Sequence, residues 1–209
     1  MTQLNHLIIF TRYPIPGTTK TRLIPALGAE GAAALQRQLT EHTLEQVSEL
    51  NANVTVYFSG GTLQQMQDWL GQDLHYQPQT GEGLGDRLIK AIELSREVGY
   101  LKTVVIGIDC PEITAAILEE AFSALENHDV VLGEATDGGY YLIGVRELNP
   151  ELFQNINWGT STVLAETLAK TRELQLNEKI LQPLNDIDYP EDLVVWEKVQ
   201  AIKNAGESV

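Results

Sequence analysis

A single thirteen-residue segment concentrates the cationic chemistry of this chain: Thr11-Arg12-Tyr13-Pro14-Ile15-Pro16-Gly17-Thr18-Thr19-Lys20-Thr21-Arg22-Leu23. Two prolines stiffen it, and Gly17 lets the backbone approach a ligand closely. Thr18, Thr19 and Thr21 offer hydroxyls. Arg12, Lys20 and Arg22 offer charge, the arginines as bidentate forks for phosphate and the lysine as a mobile point charge. Thr19 stands where a Walker A loop has glycine, so the segment is a different kind of anion loop. The first 29 positions hold no acidic residue, although the chain carries 29 of them and a formal net charge of −15. A small basic site in an acidic protein points to a small anionic ligand. The alternative, an exposed loop making surface salt bridges, lacks acidic partners nearby in sequence.

Four further segments could do chemistry. Gly107-Ile108-Asp109-Cys110-Pro111 puts a carboxylate after a strongly apolar run, where Asp109 could hold Mg2+ or Mn2+ carrying substrate phosphates. A helix-capping role for Asp109 is the competing reading, although Thr114 is better spaced for that. Cys110 has no histidine at recognisable spacing and reads as a packing thiol. Asp186-Ile187-Asp188-Tyr189-Pro190-Glu191-Asp192 places two carboxylates on one side of an extended chain, so either could complete a metal site. Acidic residues at a helix start explain Glu191 and Asp192 equally well.

The other two segments are glycine-rich. Gly81-Glu82-Gly83-Leu84-Gly85-Asp86-Arg87-Leu88 opens a helix, and its alternate glycines would let a planar base lie against the backbone or simply form a loop–helix junction. It departs from G-x-G-x-x-G at Asp86. Gly133-Glu134-Ala135-Thr136-Asp137-Gly138-Gly139-Tyr140-Tyr141 sets Asp137 beside paired glycines, either near a ligand's hydroxyls or in a tight hairpin turn.

These segments must be positioned by the elements around them. Apolar runs at Leu7–Phe10, Val54–Phe58, Leu74–Gln77, Thr103–Ile108, Val130–Leu132, Tyr140–Val145 and Lys179–Leu181 read as strands. Helical spacing covers Ala29–Leu50, Thr62–Leu70, Leu84–Val98, Thr114–Leu125 and Ser161–Leu174, with a last helix from about Pro190. Such alternation predicts a mostly parallel sheet with helices on both faces, a three-layer α/β/α sandwich. Ligands then bind beyond the carboxyl ends of the strands, where the special residues fall. No repeat, linker or composition break divides residues 1–209, so one domain is expected.

Composition narrows the partners. Hydrophobic content of 43% and charged content of 21% suit a soluble globular protein. The acidic balance argues against nucleic acid. No apolar run approaches a membrane span, and Met1–Phe10 lacks the features of a signal peptide. One cysteine cannot form an internal disulfide, so a cytoplasmic location is expected. Oligomeric state is left open, homo-oligomerisation included.

Taken together, the segments resemble the nucleotide-diphospho-sugar transferase superfamily of GT-A fold, and within it a bacterial glycosyltransferase A-like branch of DUF2064 type, some members of which are linked to arsenosugar biosynthesis. The resemblance runs from Ile8 to about Leu193. It rests on Pro-Gly-Thr-Thr-Lys-Thr-Arg-Leu, Gly-Leu-Gly-Asp-Arg-Leu, Gly-Ile-Asp-Cys-Pro, Asp-Gly-Gly-Tyr-Tyr-Leu-Ile-Gly and Asp-Ile-Asp-Tyr-Pro-Glu-Asp-Leu, in that order.

The resemblance implies roles. Lys20 and Arg22 would contact a diphosphate, with Arg12, Gly17 and Thr18 in the same loop. Gly83, Gly85 and Asp86 would lie near the nucleobase. Asp109 would bind Mg2+ or Mn2+ with Asp188 as second ligand, and Asp137, Gly138, Gly139 and Tyr140 would face the sugar or acceptor. Lys20, Arg22 and Asp137 would be the catalytic groups. Glycosyltransferases of this fold usually carry Asp-x-Asp, whereas here Gly107 takes the first place. Related nucleotidylyltransferases use one Asp at that strand end and a later one.

The implied activity is glycosyl transfer from a nucleotide-sugar to a small acceptor. The alternative is nucleotidylyl transfer from a nucleoside triphosphate to a sugar- or metabolite-phosphate. A non-catalytic nucleotide-binding module is a third class.

Overall fold

A computed structural model of the chain describes residues 4–206. Its first strand shows how the sequence builds the sheet. In β1 (Asn5–Arg12), Leu7, Ile8 and Ile9 are all completely buried. A strand apolar on both sides must be covered on both faces, as in parallel α/β sheets. Leu7 and Ile9 point into one core and Ile8 into the other.

The chain continues through α1 (Ile24–Gln46), β2 (Asn53–Ser59), α2 (Leu63–Leu70), β3 (His75–Pro78), α3 (Leu84–Val98), β4 (Lys102–Ile106) and α4 (Ala115–Ala124). Then follow β5 (Val130–Ala135), β6 (Tyr140–Val145), α5 (Val163–Glu173), β7 (Glu178–Leu184) and α6 (Leu193–Gly206). Short 3-10 turns precede α1, α5 and α6 at Thr21–Leu23, Pro150–Phe153 and Pro190–Asp192.

The seven strands form one sheet in the order β3-β2-β1-β4-β6-β5-β7. All neighbours are parallel except β6, which runs antiparallel to both β4 and β5. On one face Leu35 and Leu39 of α1, Leu118 and Ala121 of α4 and Trp196 of α6 join the core around Leu7 and Val104. Met66 of α2 adds a smaller cluster with Val56 and Phe58. On the other face Leu88 and Ile92 of α3 and Leu164 and Leu168 of α5 cover Ile8, Val105 and Ile143. This is the three-layer α/β/α sandwich with a mostly parallel sheet expected from the sequence. The expectation of one domain over residues 1–209 includes residues 1–3 and 207–209, which lie outside the described residues.

Local signals set several boundaries. Thr62 caps α2 by accepting from Gln65 N at 3.2 Å while Gln65 Oε1 accepts from Thr62 N at 2.8 Å, a capping box. Thr114 caps α4 by accepting from Ile117 N, so the cap that competed with a ligand role for Asp109 is filled by Thr114. The helix expected from Ala29 begins earlier, at Ile24, and kinks at Gly28, where φ is +71°. No helix among the described residues is long and apolar enough to cross a membrane.

Candidate functional site

Six of the seven strands run the same way, so their carboxyl ends open onto one edge of the sheet. Reading along that edge from β3 to β7, the chain delivers Gln79, Ser59, Arg12, Asp109, the Asp137 turn and Asp188. A cleft of about 560 Å³ lies along it.

The basic loop after β1 is tied down by its own backbone. Tyr13 N donates to Ser59 O at 2.9 Å, extending the β1–β2 pairing. Gly17 adopts φ +81°, which its missing side chain permits. The buried Thr19 hydroxyl accepts from Ile15 N at 3.0 Å. Beneath the loop, Gln36 of α1 donates to Arg12 O and to the Thr11 hydroxyl, both at 3.2 Å. These contacts hold Lys20 in the left-handed region, at φ 45° and ψ 49°. A non-glycine residue there stores strain that the surroundings must enforce, as at many functional sites.

That backbone turn sends the Lys20 side chain inward, with only 5% of it exposed. Its Nζ donates to Asp109 Oδ1 at 2.7 Å and to Ile187 O at 2.6 Å. Ile187 N in turn donates to Asp109 O at 2.9 Å, joining the ends of β4 and β7. Arg22 points outward and pairs Nη1 with Asp188 Oδ2 at 2.7 Å, its guanidinium 5.1 Å from the Tyr189 ring centre. Lys20 and Arg22 are therefore each matched to one carboxylate that follows a strand, while Arg12 donates to Thr18 O at 3.2 Å.

The carboxylates are crowded. Asp109, Asp137 and Asp186 line a recess of about 130 Å³ that adjoins the cleft. Burial, then repulsion from Asp137, pushes Asp186 up from 3.8 to about 6. Asp188 is also raised, by burial and by Asp109, against the opposing pull of Lys20 and Arg22. Burial pushes the Cys110 thiol well up, with the surrounding carboxylates adding to it, which suits a packing thiol and not a nucleophile.

The expected site residues divide by position. Arg12, Thr18, Lys20, Arg22, Asp109, Tyr140 and Asp188 line the cleft. Asp137 and Gly139 line the adjoining recess, shared with Asp109 and Tyr140. Gly17 and Gly138 are turn residues outside both linings, and Gly138 packs its α-carbon against the Ser161 carbonyl. The Asp137 segment is also a hairpin turn between β5 and β6: Ala135 N donates to Gly139 O, and Gly139 N to Asp137 Oδ1 at 2.7 Å.

Gly83, Gly85 and Asp86 fall outside the cleft lining. Gly83 is the extended residue that precedes α3 as its N-cap, and Gly85 is buried against Phe153 O and Trp158. Asp86 pairs with Lys90 at 3.1 Å, which with a hydrogen bond from Glu82 N holds its carboxyl below the usual range. Their neighbours Leu84, Arg87 and Leu88 face the cleft instead. Sequence reasoning also passed over Gln79, because nothing in its local pattern marks it. Its amide donates to Thr11 O at 3.0 Å and Tyr57 O at 2.9 Å, bridging β1 and β2.

Residues 43–160 match the family described as "Uncharacterized protein conserved in bacteria (DUF2064)". The chain belongs to the DUF2064 family. A crystal structure of a candidate nucleotide-diphospho-sugar transferase from Desulfovibrio desulfuricans G20 is similar to this DUF2064 chain, at 32% identity and TM-score 0.89 over 93% of this chain and 87% of that one. A nucleotidyl transferase from Methanothermobacter is similar at 16% identity and TM-score 0.66, over 96% and 99% of the two chains. A CMP:2-keto-3-deoxy-manno-octonic acid synthetase complexed with CTP is similar at 15% identity and TM-score 0.56, over 97% and 99%. The last two likenesses are of fold. None of the curated proteins matches the sequence.

Proposed function

We propose that this DUF2064 protein is a transferase that binds a nucleotide-sugar through its diphosphate and passes the sugar to a small acceptor. The observation that carries the reading is the pairing of Lys20 with Asp109 and of Arg22 with Asp188 at the mouth of one cleft. Four charges from three separate chain segments meet where α/β sheets bind ligands. The similar Desulfovibrio protein, described as a candidate nucleotide-diphospho-sugar transferase, supports it.

The site suits a hard divalent cation. Among the described residues no three His, Cys, Asp or Glu side chains are grouped to hold a metal by themselves. Mg2+, however, is commonly held by one or two carboxylates plus substrate phosphates. Asp188, raised by burial and then by Asp109, belongs to an oxygen donor set whose mutual repulsion a cation would relieve. Asp109 and Asp188 would hold Mg2+ or Mn2+, which when bound neutralises charge on a departing diphosphate.

The chain's own groups do the rest. Lys20 is anchored, buried and one hydrogen bond from the cleft's carboxylate, so a small rotation of its ammonium reaches a phosphate oxygen. Arg22, half exposed, can exchange Asp188 for a phosphate in a bidentate grip. With substrate bound, both donors would already contact the phosphates before charge develops on the leaving group, which favours its stabilisation. Asp137 lines the recess beyond Asp109 and would face the acceptor or sugar hydroxyls.

One observation favours nucleotidylyl transfer as the second reading. Gly107 lines the cleft where an Asp-x-Asp pair would supply a carboxylate, leaving Asp109 alone at the end of β4. Lys20 and Arg22 would then stabilise the attacked α-phosphate and departing pyrophosphate. Product analysis separates the two. Release of a nucleoside diphosphate from a nucleotide-sugar supports the first, and pyrophosphate release from a triphosphate in the presence of a sugar phosphate replaces it with the second.

A further inference from the structure

The arm of the cleft over β1, β2 and β3 is built differently from the charged end. Its walls are apolar: Phe10 from β1, and Leu84 and Leu88 from the first turns of α3. Leu84 is 42% exposed, a large apolar side chain that packing within the fold does not account for. Arg87 lines the same cleft, half-buried and without a carboxylate partner among the described residues.

Burial of charge is ordinarily matched by a counter-ion, and in this chain of net charge −15 Arg87 has none among the described residues. Its two hydrogen bonds are long and go only to neutral acceptors. Nε donates to Gly81 O at 3.4 Å and Nη1 to Gln79 Oε1 at 3.4 Å. The Gln79 amide cannot turn to present its donors, because both are spent on Thr11 O and Tyr57 O. This arm therefore offers the exposed apolar side chain of Leu84, with Phe10 nearby in the lining, for a planar group to rest on, and spare N–H donors from Nη2 of Arg87. An arginine fork selects paired acceptors and disfavours an amino group in the same place.

We propose that Arg87 reads the carbonyl edge of the nucleobase, so that the cleft takes a keto base, guanine or uracil, in preference to the amino bases adenine and cytosine. This rests on the nucleotide reading above and deepens it by naming the substrate class. Guanine presents O6 beside N7 and uracil presents O4, where adenine and cytosine present N6 and N4 amino groups that would set donor against donor.

The test is calorimetric binding of GDP, UDP, ADP, CDP and inorganic pyrophosphate, each with Mn2+, to the wild-type chain and to Arg87→Met and Arg87→Lys. Methionine keeps the aliphatic stem and helix propensity, and lysine keeps the charge without the fork. GDP or UDP should bind about ten-fold or more tightly than its amino counterpart, the scale of one good base contact. Both variants should lose most of that preference while pyrophosphate binds as before. ADP and CDP binding as tightly as GDP and UDP would overturn the proposal and leave the nucleotide reading standing. Equal weakening of every ligand including pyrophosphate in Arg87→Met, restored in Arg87→Lys, would overturn it by making Arg87 a phosphate contact. Binding of none of the five would bring down both.

Discussion

Lys20 and Asp109 lie 89 residues apart in sequence, yet Lys20 Nζ sits 2.7 Å from Asp109 Oδ1. The contact joins the loop after β1 to the end of β4, two strands adjacent in the sheet. Lys20 is nearly buried while Asp109 is 47% exposed, so the pair faces solvent through its acidic member. Under the proposed function, Lys20 would exchange Asp109 for an incoming phosphate. Exposed pairs such as Arg22–Asp188 contribute under about 1 kcal/mol to stability, so exchanging Asp188 for a phosphate would cost the fold little.

Lys20→Ala and Arg22→Ala should each weaken binding of a nucleoside diphosphate by about 1–3 kcal/mol, the range for charge-assisted hydrogen bonds. Titration calorimetry reads the loss directly. Circular dichroism should show the fold retained, because Asp109 and Asp188 can be solvated once their partners are gone. An unchanged affinity in both variants would remove the loop from the phosphate site.

Asp109→Ala should abolish the part of nucleotide binding that depends on Mg2+ or Mn2+. The carboxylate lies beyond the last residue of β4 and contributes little to the core. Thermal denaturation of the variant should show the sheet intact. Normal metal-dependent binding would show that the ion is held elsewhere.

Much of this arrangement was legible in the sequence, and the reason is local. Strand ends are marked by apolar runs such as Thr103–Ile108, so a polar residue just after one is placed at the ligand edge by the fold alone. Asp109 follows from that rule, Lys20 and Arg22 stand out as the cations of the loop after the first strand, and the choice of Asp188 over Asp186 comes from the family resemblance. Pairings across the sheet do not. That β6 inserts antiparallel between β4 and β5 is set by long-range register, which periodicity does not carry. Arg87 was hidden for a related reason. It occupies an ordinary position of α3, and which face of that helix meets the cleft depends on long-range packing such as that of Gly85 against Phe153 O and Trp158.

Gly138→Ala should destabilise the protein while leaving Gly17→Ala comparatively mild. Gly138 has φ +92°, and an added Cβ would lie 2.2 Å from Ser161 O. Gly17 has φ +81° with nothing within 4 Å, so alanine there meets only the left-handed backbone cost of about 1–2 kcal/mol. Denaturant melts of the two variants should differ clearly in midpoint. Equal midpoints would show that the turn relaxes around the added methyl.

Acid stability should depend on His6. Burial, with His75 adding to it, lowers His6 from 6.5 to about 4. Its ring accepts or donates at both nitrogens, to the Ser95 hydroxyl at 2.7 Å and the Thr55 hydroxyl at 2.9 Å. Between pH 6.5 and about 4 the unfolded chain binds a proton there that the folded chain refuses, so stability rises with pH across that window. The contribution is complete above 6.5 and is lost as pH falls towards 4. His6→Gln, which cannot titrate, should show a shallower fall in melting temperature over the same interval than the wild type. Parallel curves would mean that His6 takes up its proton without unfolding.

The most direct test of the central claim is a thermal-shift measurement of the wild-type chain with nucleoside diphosphates and nucleotide-sugars, with and without Mg2+ or Mn2+. A ligand at about 100 times its dissociation constant adds roughly 2.7 kcal/mol of stability, enough to move the transition by several degrees. The charged cleft of Lys20, Arg22, Asp109 and Asp188 predicts a shift with a diphosphate-bearing ligand that grows when the metal is added. No shift with any diphosphate or nucleotide-sugar, metal present or absent, would contradict it.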